Sequence, residues 1–122
     1  RMALATDVGG GTSYSMLRTA AEAYKVLQLQ GQSWPAFEAF YTMTLGNARA
    51  LGLEAEIGTL EPGSHADLAI VRPEAIPALA HRLAAIDPAA LEERLFALLT
   101  MGDDRAVAAT YVAGRQVKAP PI

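Results

Sequence analysis

Cysteine is absent from the 122 residues, so disulfides and thiolate metal sites are excluded, and redox logic leaves the compartment open. Histidine is scarce, with His65 and His81 the only two. Charge of one sign is not concentrated anywhere: a net charge of −3, with no basic stripe and no acidic tail, argues against nucleic acid as a partner. Apolar runs long enough to cross a bilayer are missing, which argues against a membrane role. There is no internal repeat and no low-complexity tract. With 52% hydrophobic residues, the composition is that of an ordinary soluble protein, and the length allows one small domain with a modest core. Position 1 is Arg rather than Met, which is read as a chain that starts inside a longer protein.

The stretch around which the rest is organised is Arg1 to Thr12. Met2 to Ala5 is a short apolar run, expected to be a strand, and it ends at Thr6-Asp7. Gly9, Gly10 and Gly11 follow, and a helical segment comes next. A strand that runs through a glycine loop into a helix is the unit of an α/β protein, in which chemistry sits at the carboxyl end of the strand. Asp7 occupies that position and is the candidate catalytic or metal-binding residue. Two other readings of the same residues stand beside it. Asp and Gly both favour turns, so the stretch can be a plain turn. The glycines can also cradle a phosphate at a helix N-terminus, although the spacing fits neither common phosphate motif and no Lys stands at the helix start.

Downstream, apolar Met16, Leu17, Ala20, Tyr24 and Leu27 predict a helix over 13–30, capped by Thr12 or Ser13 and stopped by Gly31. A second helix is expected from a Ser33 cap with Pro35 in its first turn, placing Phe37, Phe40, Tyr41 and Met43 in the core. A short helix over 45–51 should end at Gly52. Residues 56–63 suit a short strand and a tight turn, and residues 66–71 a compact strand stopped by Pro73. The segment 75–85 is apolar but broken by Pro77. A helix capped by Asp87, with Pro88 at its first position, should cover about 88–101 with Leu91, Leu95, Leu98 and Leu99 as its apolar stripe. Residues 107–112 and 115–118 form a hairpin turning at Ala113-Gly114.

The segment Ile57-Gly58-Thr59-Leu60-Glu61-Pro62-Gly63-Ser64-His65-Ala66-Asp67-Leu68 resembles the I-G-x-L-x-P-G-x-x-A-D-L signature of the amidohydrolase superfamily. Ala48-Arg49-Ala50-Leu51-Gly52-Leu53 resembles that superfamily's A-x-A-L-G-L helix end. Within the superfamily the likeness is to the guanine deaminases. It is carried by residues 6–17, Glu22-Ala23-Tyr24-Lys25-Val26, Gly102-Asp103-Asp104-Arg105 and the Tyr111-Val112-x-Gly114-Arg115 hairpin. The matches run in order over essentially the whole chain.

The resemblance implies an α/β fold: the C-terminal part of a TIM-like metal-dependent hydrolase barrel, with residues 1–55 as its last strand and helices. Residues 56–122 would contribute strands to a small composite β-sandwich. It implies hydrolytic deamination of guanine to xanthine and ammonia in the full-length enzyme, in the cytoplasm, with zinc or iron as cofactor. Asp7 would be both metal ligand and catalytic proton acceptor. The expected partners are a purine base and, as a dimer or otherwise, another copy or the rest of the enzyme; nucleic acid and membrane are not expected. The sequence departs from the family in one decisive respect. Neither His65 nor His81 lies in a His-x-His pair, so the family's histidine ligands and proton-shuttling Glu are absent, and the fragment alone is expected to be inactive. Both histidines, with Asp67, Asp103, Asp104 and Arg105, have plain structural readings: a solvated surface for the histidines, a local turn for Asp67 and a structural loop for the rest. The alternatives are another hydrolase of the superfamily and a non-catalytic interaction module.

Overall fold

The computed structural model describes residues 2–118. Five α-helices and one three-stranded sheet are present among them. No helix is long and apolar enough to cross a membrane.

Helix α1, Met16–Leu29, starts later than expected because Ser13 and Ser15 divide the capping between them. The Ser13 hydroxyl accepts from the Ser15 amide (3.0 Å), and the Ser15 hydroxyl accepts from the Arg18 amide (3.4 Å), so Ser15 rather than Thr12 or Ser13 is the cap. At the other end Gly31 adopts φ +71, and the Gln32 amide returns to the Leu27 carbonyl at 2.9 Å. This glycine-dependent closure satisfies carbonyls that the last turn would leave orphaned. The expected stripe holds: Leu17 and Ala20 are buried, and Met16, Tyr24 and Leu27 are half-buried.

Helix α2, Ala36–Tyr41, also departs from expectation, since Ser33 makes no cap and Pro35 occupies the cap position. The break expected near Thr44 is instead a wide π turn, Thr42–Gly46, leading straight into α3, Asn47–Leu51. Thr42 and Thr44 donate their hydroxyls back to the Glu38 and Phe40 carbonyls, each at 2.7 Å, so both stay within the helical run. Gly46 is required there, because a Cβ would press on the Tyr41 carbonyl and ring. Gly52, at φ +74, ends α3. Phe40 and Met43 pack on the core, but Phe37 and Tyr41 are exposed (50% and 44%), contrary to the reading that placed all four inside.

The strand expected within 56–63 does not form; Gly58 and Gly63 take positive φ, and the segment is a series of turns. Strand β1 is Leu68–Val71. The segment after it, set aside as irregular, is helix α4, Pro77–Ala84. Pro77 sits at the first helical position, where its missing N–H costs nothing, so it starts a helix instead of breaking one. Leu79 and Leu83 are its buried face, and Ile76 and Ile86, just outside its two ends, are buried with them. Helix α5 is Leu91–Met101, three residues shorter at its start than expected, because Asp87 closes a separate turn by accepting from the Ala89 amide at 2.9 Å. Leu98 and Leu99 are buried, whereas Leu91 is 55% exposed.

Strands β2, Val107–Val112, and β3, Arg115–Lys118, form the predicted hairpin. Ala113 and Gly114 both have positive φ (49 and 77), as a two-residue turn matched to strand twist requires. The sheet order is β1-β2-β3, all antiparallel, so the parallel pairing of an α/β unit is not seen among the described residues. Asp67 corrects another expectation. Its carboxylate bonds not a local amide but that of Ala113, 46 residues away, at 2.6 Å, tying the hairpin tip to the start of β1.

Two apolar clusters hold the molecule. One joins Leu17, Ile76, Leu79, Leu83, Ile86 and Leu98. The other joins Ala20, Trp34, Ala39 and Leu99, with Leu4 packed against it. Leu79 and Leu99 are fully buried, and each contributes about 1.5–3 kcal/mol by leaving water. The architecture is therefore a mixed helix and strand unit in which α5 packs on α1 and α2.

Candidate active-site carboxylate loop

Met2 to Ala5 is not a strand. Its neighbour in space is a side chain: the Leu4 amide donates to Asn47 Oδ1 (2.8 Å), and Asn47 Nδ2 donates to the Leu4 carbonyl (2.7 Å). Parallel strands depend on partners on both sides, and the described residues provide none for this segment.

Beyond Leu4 the chain enters a tight loop. Asp7 has φ 48, a left-handed conformation that non-glycine residues adopt rarely and that concentrates at functional sites. Its carbonyl accepts from the amides of Gly10 (2.8 Å) and Gly11 (2.6 Å). The glycines are needed for separate reasons. Gly9 takes φ +97. A Cβ on Gly10 would lie 2.6 Å from Asp7 Oδ2, and one on Gly11 would overlap the Thr6 carbonyl oxygen. The loop is thus folded tightly about Asp7, whose side chain is exposed and forms no hydrogen bond among the described residues. It lines none of the three main clefts, one of which (about 410 Å³) lies between α1, α2 and α5 against Trp34 and Phe96.

The remaining candidates lie apart from Asp7. His65 and His81 are exposed. Asp103 and Arg105 form a local pair: Arg105 Nη2 donates to Asp103 Oδ2 at 2.7 Å, and the Arg105 amide donates to Oδ1 at 3.0 Å. The Arg105 hydrogen bonds hold the Asp103 carboxyl below its ordinary pKa of 3.8, with a further contribution from Arg18, and Asp103 in turn raises that of Arg105. This pair closes the turn after α5.

The profile of the Amidohydrolase family matches residues 1–117. The chain belongs to the amidohydrolase family. Over 117 residues it is 46% identical to guanine deaminase of Escherichia coli K12, a match covering 96% of this chain and 26% of that protein. The solved structure of E. coli guanine deaminase superposes with a TM-score of 0.90, at 46% identity, over 95% of this chain and 27% of the other. Guanine deaminase from Bradyrhizobium japonicum superposes with a TM-score of 0.80, at 28% identity, over 98% of this chain and 31% of the other. The chain thus spans about a quarter of the length of the curated relatives it matches.

Amidohydrolases are generally metal-dependent, and the donor set here can be tested against that. Among the described residues no three His, Asp or Glu side chains come together to hold a metal ion. Asp7 fits the part of one oxygen ligand; the residues present do not fit a complete site. Sequence reasoning singled out Asp7 and passed over Asn47, whose bond to Leu4 spans 43 residues. Only its place just before the Ala48-to-Leu53 motif could have drawn notice to it.

Proposed function

We propose that the chain is the C-terminal portion of a guanine deaminase, which hydrolyses guanine to xanthine and ammonia. The observation that supports this reading is the match to E. coli guanine deaminase, in sequence at 46% identity and in structure at a TM-score of 0.90, across nearly all of these residues. In this reading residues 1–55 close a TIM-like barrel and residues 56–122 contribute to a small β-sandwich. The protein is cytoplasmic. The Met2 to Ala5 segment, which has no strand partner among the described residues, and the exposed Phe37, Tyr41 and Leu51 face the remainder of the enzyme or a second copy.

Asp7 is the chain's contribution to the chemistry. A zinc or iron ion, bound with histidines from outside these residues, would supply a water of lowered pKa. The Asp7 carboxylate would be an oxygen ligand and would accept a proton at Oδ, a role its exposed and otherwise unbonded side chain leaves open. The 122 residues alone should not turn over guanine, since no ligand cluster forms among those described.

The test is Asp7→Asn in the intact enzyme, with guanine turnover and thermal stability measured together. Asparagine keeps the shape and removes the charge and the basic oxygen, so kcat should fall by about 10³-fold or more, while the melting temperature stays near wild type. Near wild-type turnover in that variant removes Asp7 from the mechanism. An intact protein without guanine deaminase activity removes the reading as a whole and returns attention to other hydrolases of the family.

A further inference from the structure

We propose that Asn47 is a positioning residue for Asp7, a role that rests on the reading of Asp7 given above. One side-chain amide takes both backbone groups of Leu4, the amide at 2.8 Å and the carbonyl at 2.7 Å. That is the service a neighbouring strand would render, supplied from a helix. The pairing also fixes the orientation of the amide, since a flipped Asn47 would set donor against donor and acceptor against acceptor.

Asn47 reaches Leu4 because of where the helix places it. It is the first residue of α3, directly after the π turn Thr42–Gly46. A π turn inserts an extra residue and swings the following side chains around the helix axis, and such turns recur at functional sites. The Leu4 side chain meanwhile packs against the cluster of Ala20, Trp34, Ala39 and Leu99. Leu4 is therefore held on its backbone by Asn47 and on its side chain by the core. Asp7 lies three residues further on, within about 10 Å of chain. Its own carboxylate has no hydrogen-bond partner among the described residues, so within them the backbone sets where it points. The backbone on one side is fixed at Leu4, and on the other by the Gly10 and Gly11 amides. Releasing Leu4 frees one end of that short span.

The experiment uses the intact enzyme with two replacements. Asn47→Leu keeps the approximate shape and deletes both hydrogen bonds. Asn47→Asp keeps the acceptor for the Leu4 amide and loses the donor to the Leu4 carbonyl. Small displacements of a catalytic group cost up to about 10²-fold in rate. In Asn47→Leu, kcat should therefore fall about 10- to 100-fold with KM changed less than about threefold, and amide exchange across residues 2–12 should accelerate. Asn47→Asp should keep the Leu4 amide protected and lose less of kcat, and it carries the test if Asn47→Leu does not fold. Wild-type kcat in whichever variant folds overturns the proposal, and so does a fall in kcat with unchanged exchange at residues 2–12. If Asp7→Asn retains full turnover, the assignment of Asp7 fails and this role fails with it. If Asp7→Asn is inactive while Asn47→Leu works normally, the positioning role alone is lost.

Discussion

The core around Leu79 and Leu99 and the loop around Asp7 are held by different means. Both leucines are fully buried among side chains from several helices, so their places are set by close packing of apolar atoms. Asp7 is exposed, and its position depends on two backbone hydrogen bonds to its carbonyl, on Gly9 for its positive φ and Gly10 and Gly11 for room, and on Asn47 holding Leu4 just upstream. The core is redundant and the loop is not. Losing one contact in the core costs stability in proportion to the atoms removed. Losing one in the loop should cost little stability but move the carboxylate to which the proposed function assigns the chemistry.

Leu99→Ala breaks this comparison from the core side, with the largest expected effect on folding. Truncating a fully buried leucine removes its transfer free energy and leaves a cavity, at a cost of about 2–5 kcal/mol. Denaturant unfolding of the intact enzyme should show that loss, and because Leu4 packs against this cluster, kcat per folded molecule should fall, but by less than when the Asp7 loop itself is changed. A loss below about 1 kcal/mol would mean that the cluster of Ala20, Trp34 and Leu99 is not the support it is taken for.

Gly11→Ala makes the opposite test. The new Cβ would overlap the Thr6 carbonyl oxygen, which is backbone and cannot rotate away, so the chain on either side of Asp7 must shift. At Gly10 the clash is with the Asp7 carboxylate itself, so that variant displaces the group assigned the chemistry directly, and Gly11→Ala displaces it through the backbone. Activity should therefore fall about 10²-fold in each variant, with both melting temperatures closer to wild type than that of Leu99→Ala. Near wild-type activity in either variant, or a larger loss of stability in Gly11→Ala than in Leu99→Ala, would sink the distinction between a packed core and a backbone-set loop.

The same contrast explains what could be read in advance. Helix α1 and the hairpin at Ala113-Gly114 were legible because their signals are local: an apolar residue every three or four positions, and two residues able to take positive φ. Asp7 stood out because a carboxylate before a glycine loop has a local grammar too. Helix α4 was missed because Pro77 was weighed as a breaker when it stands at a helix start. The continuous run through Thr42–Gly46 was missed because a threonine and a glycine together look like an end. The failures of another kind concern Met2 to Ala5, Asn47 and Asp67. An apolar run becomes a strand only if it finds a partner, and the bonds of Leu4 to Asn47 and of Asp67 to Ala113 span 43 and 46 residues. Neither period nor propensity carries that information.

The smallest expected effect separates the Asp103–Arg105 pair from both regions. Arg105 is well exposed (62% of its side chain), so solvent screens the pair and its contribution to stability is small. Its sign is nevertheless fixed. Hydrogen bonding from Arg105 holds the Asp103 pKa below 3.8 in the folded chain. The unfolded chain therefore takes up the proton first as pH falls. The pair's stabilisation is full above about pH 4 and disappears as pH drops through the lowered folded value. Asp103→Asn in the intact enzyme should melt slightly below wild type at pH 6. The gap should close as the pH is taken from 4 toward 2. A gap of constant size across that range would show that Asp103 acts through shape at the turn after α5, and not through its charge.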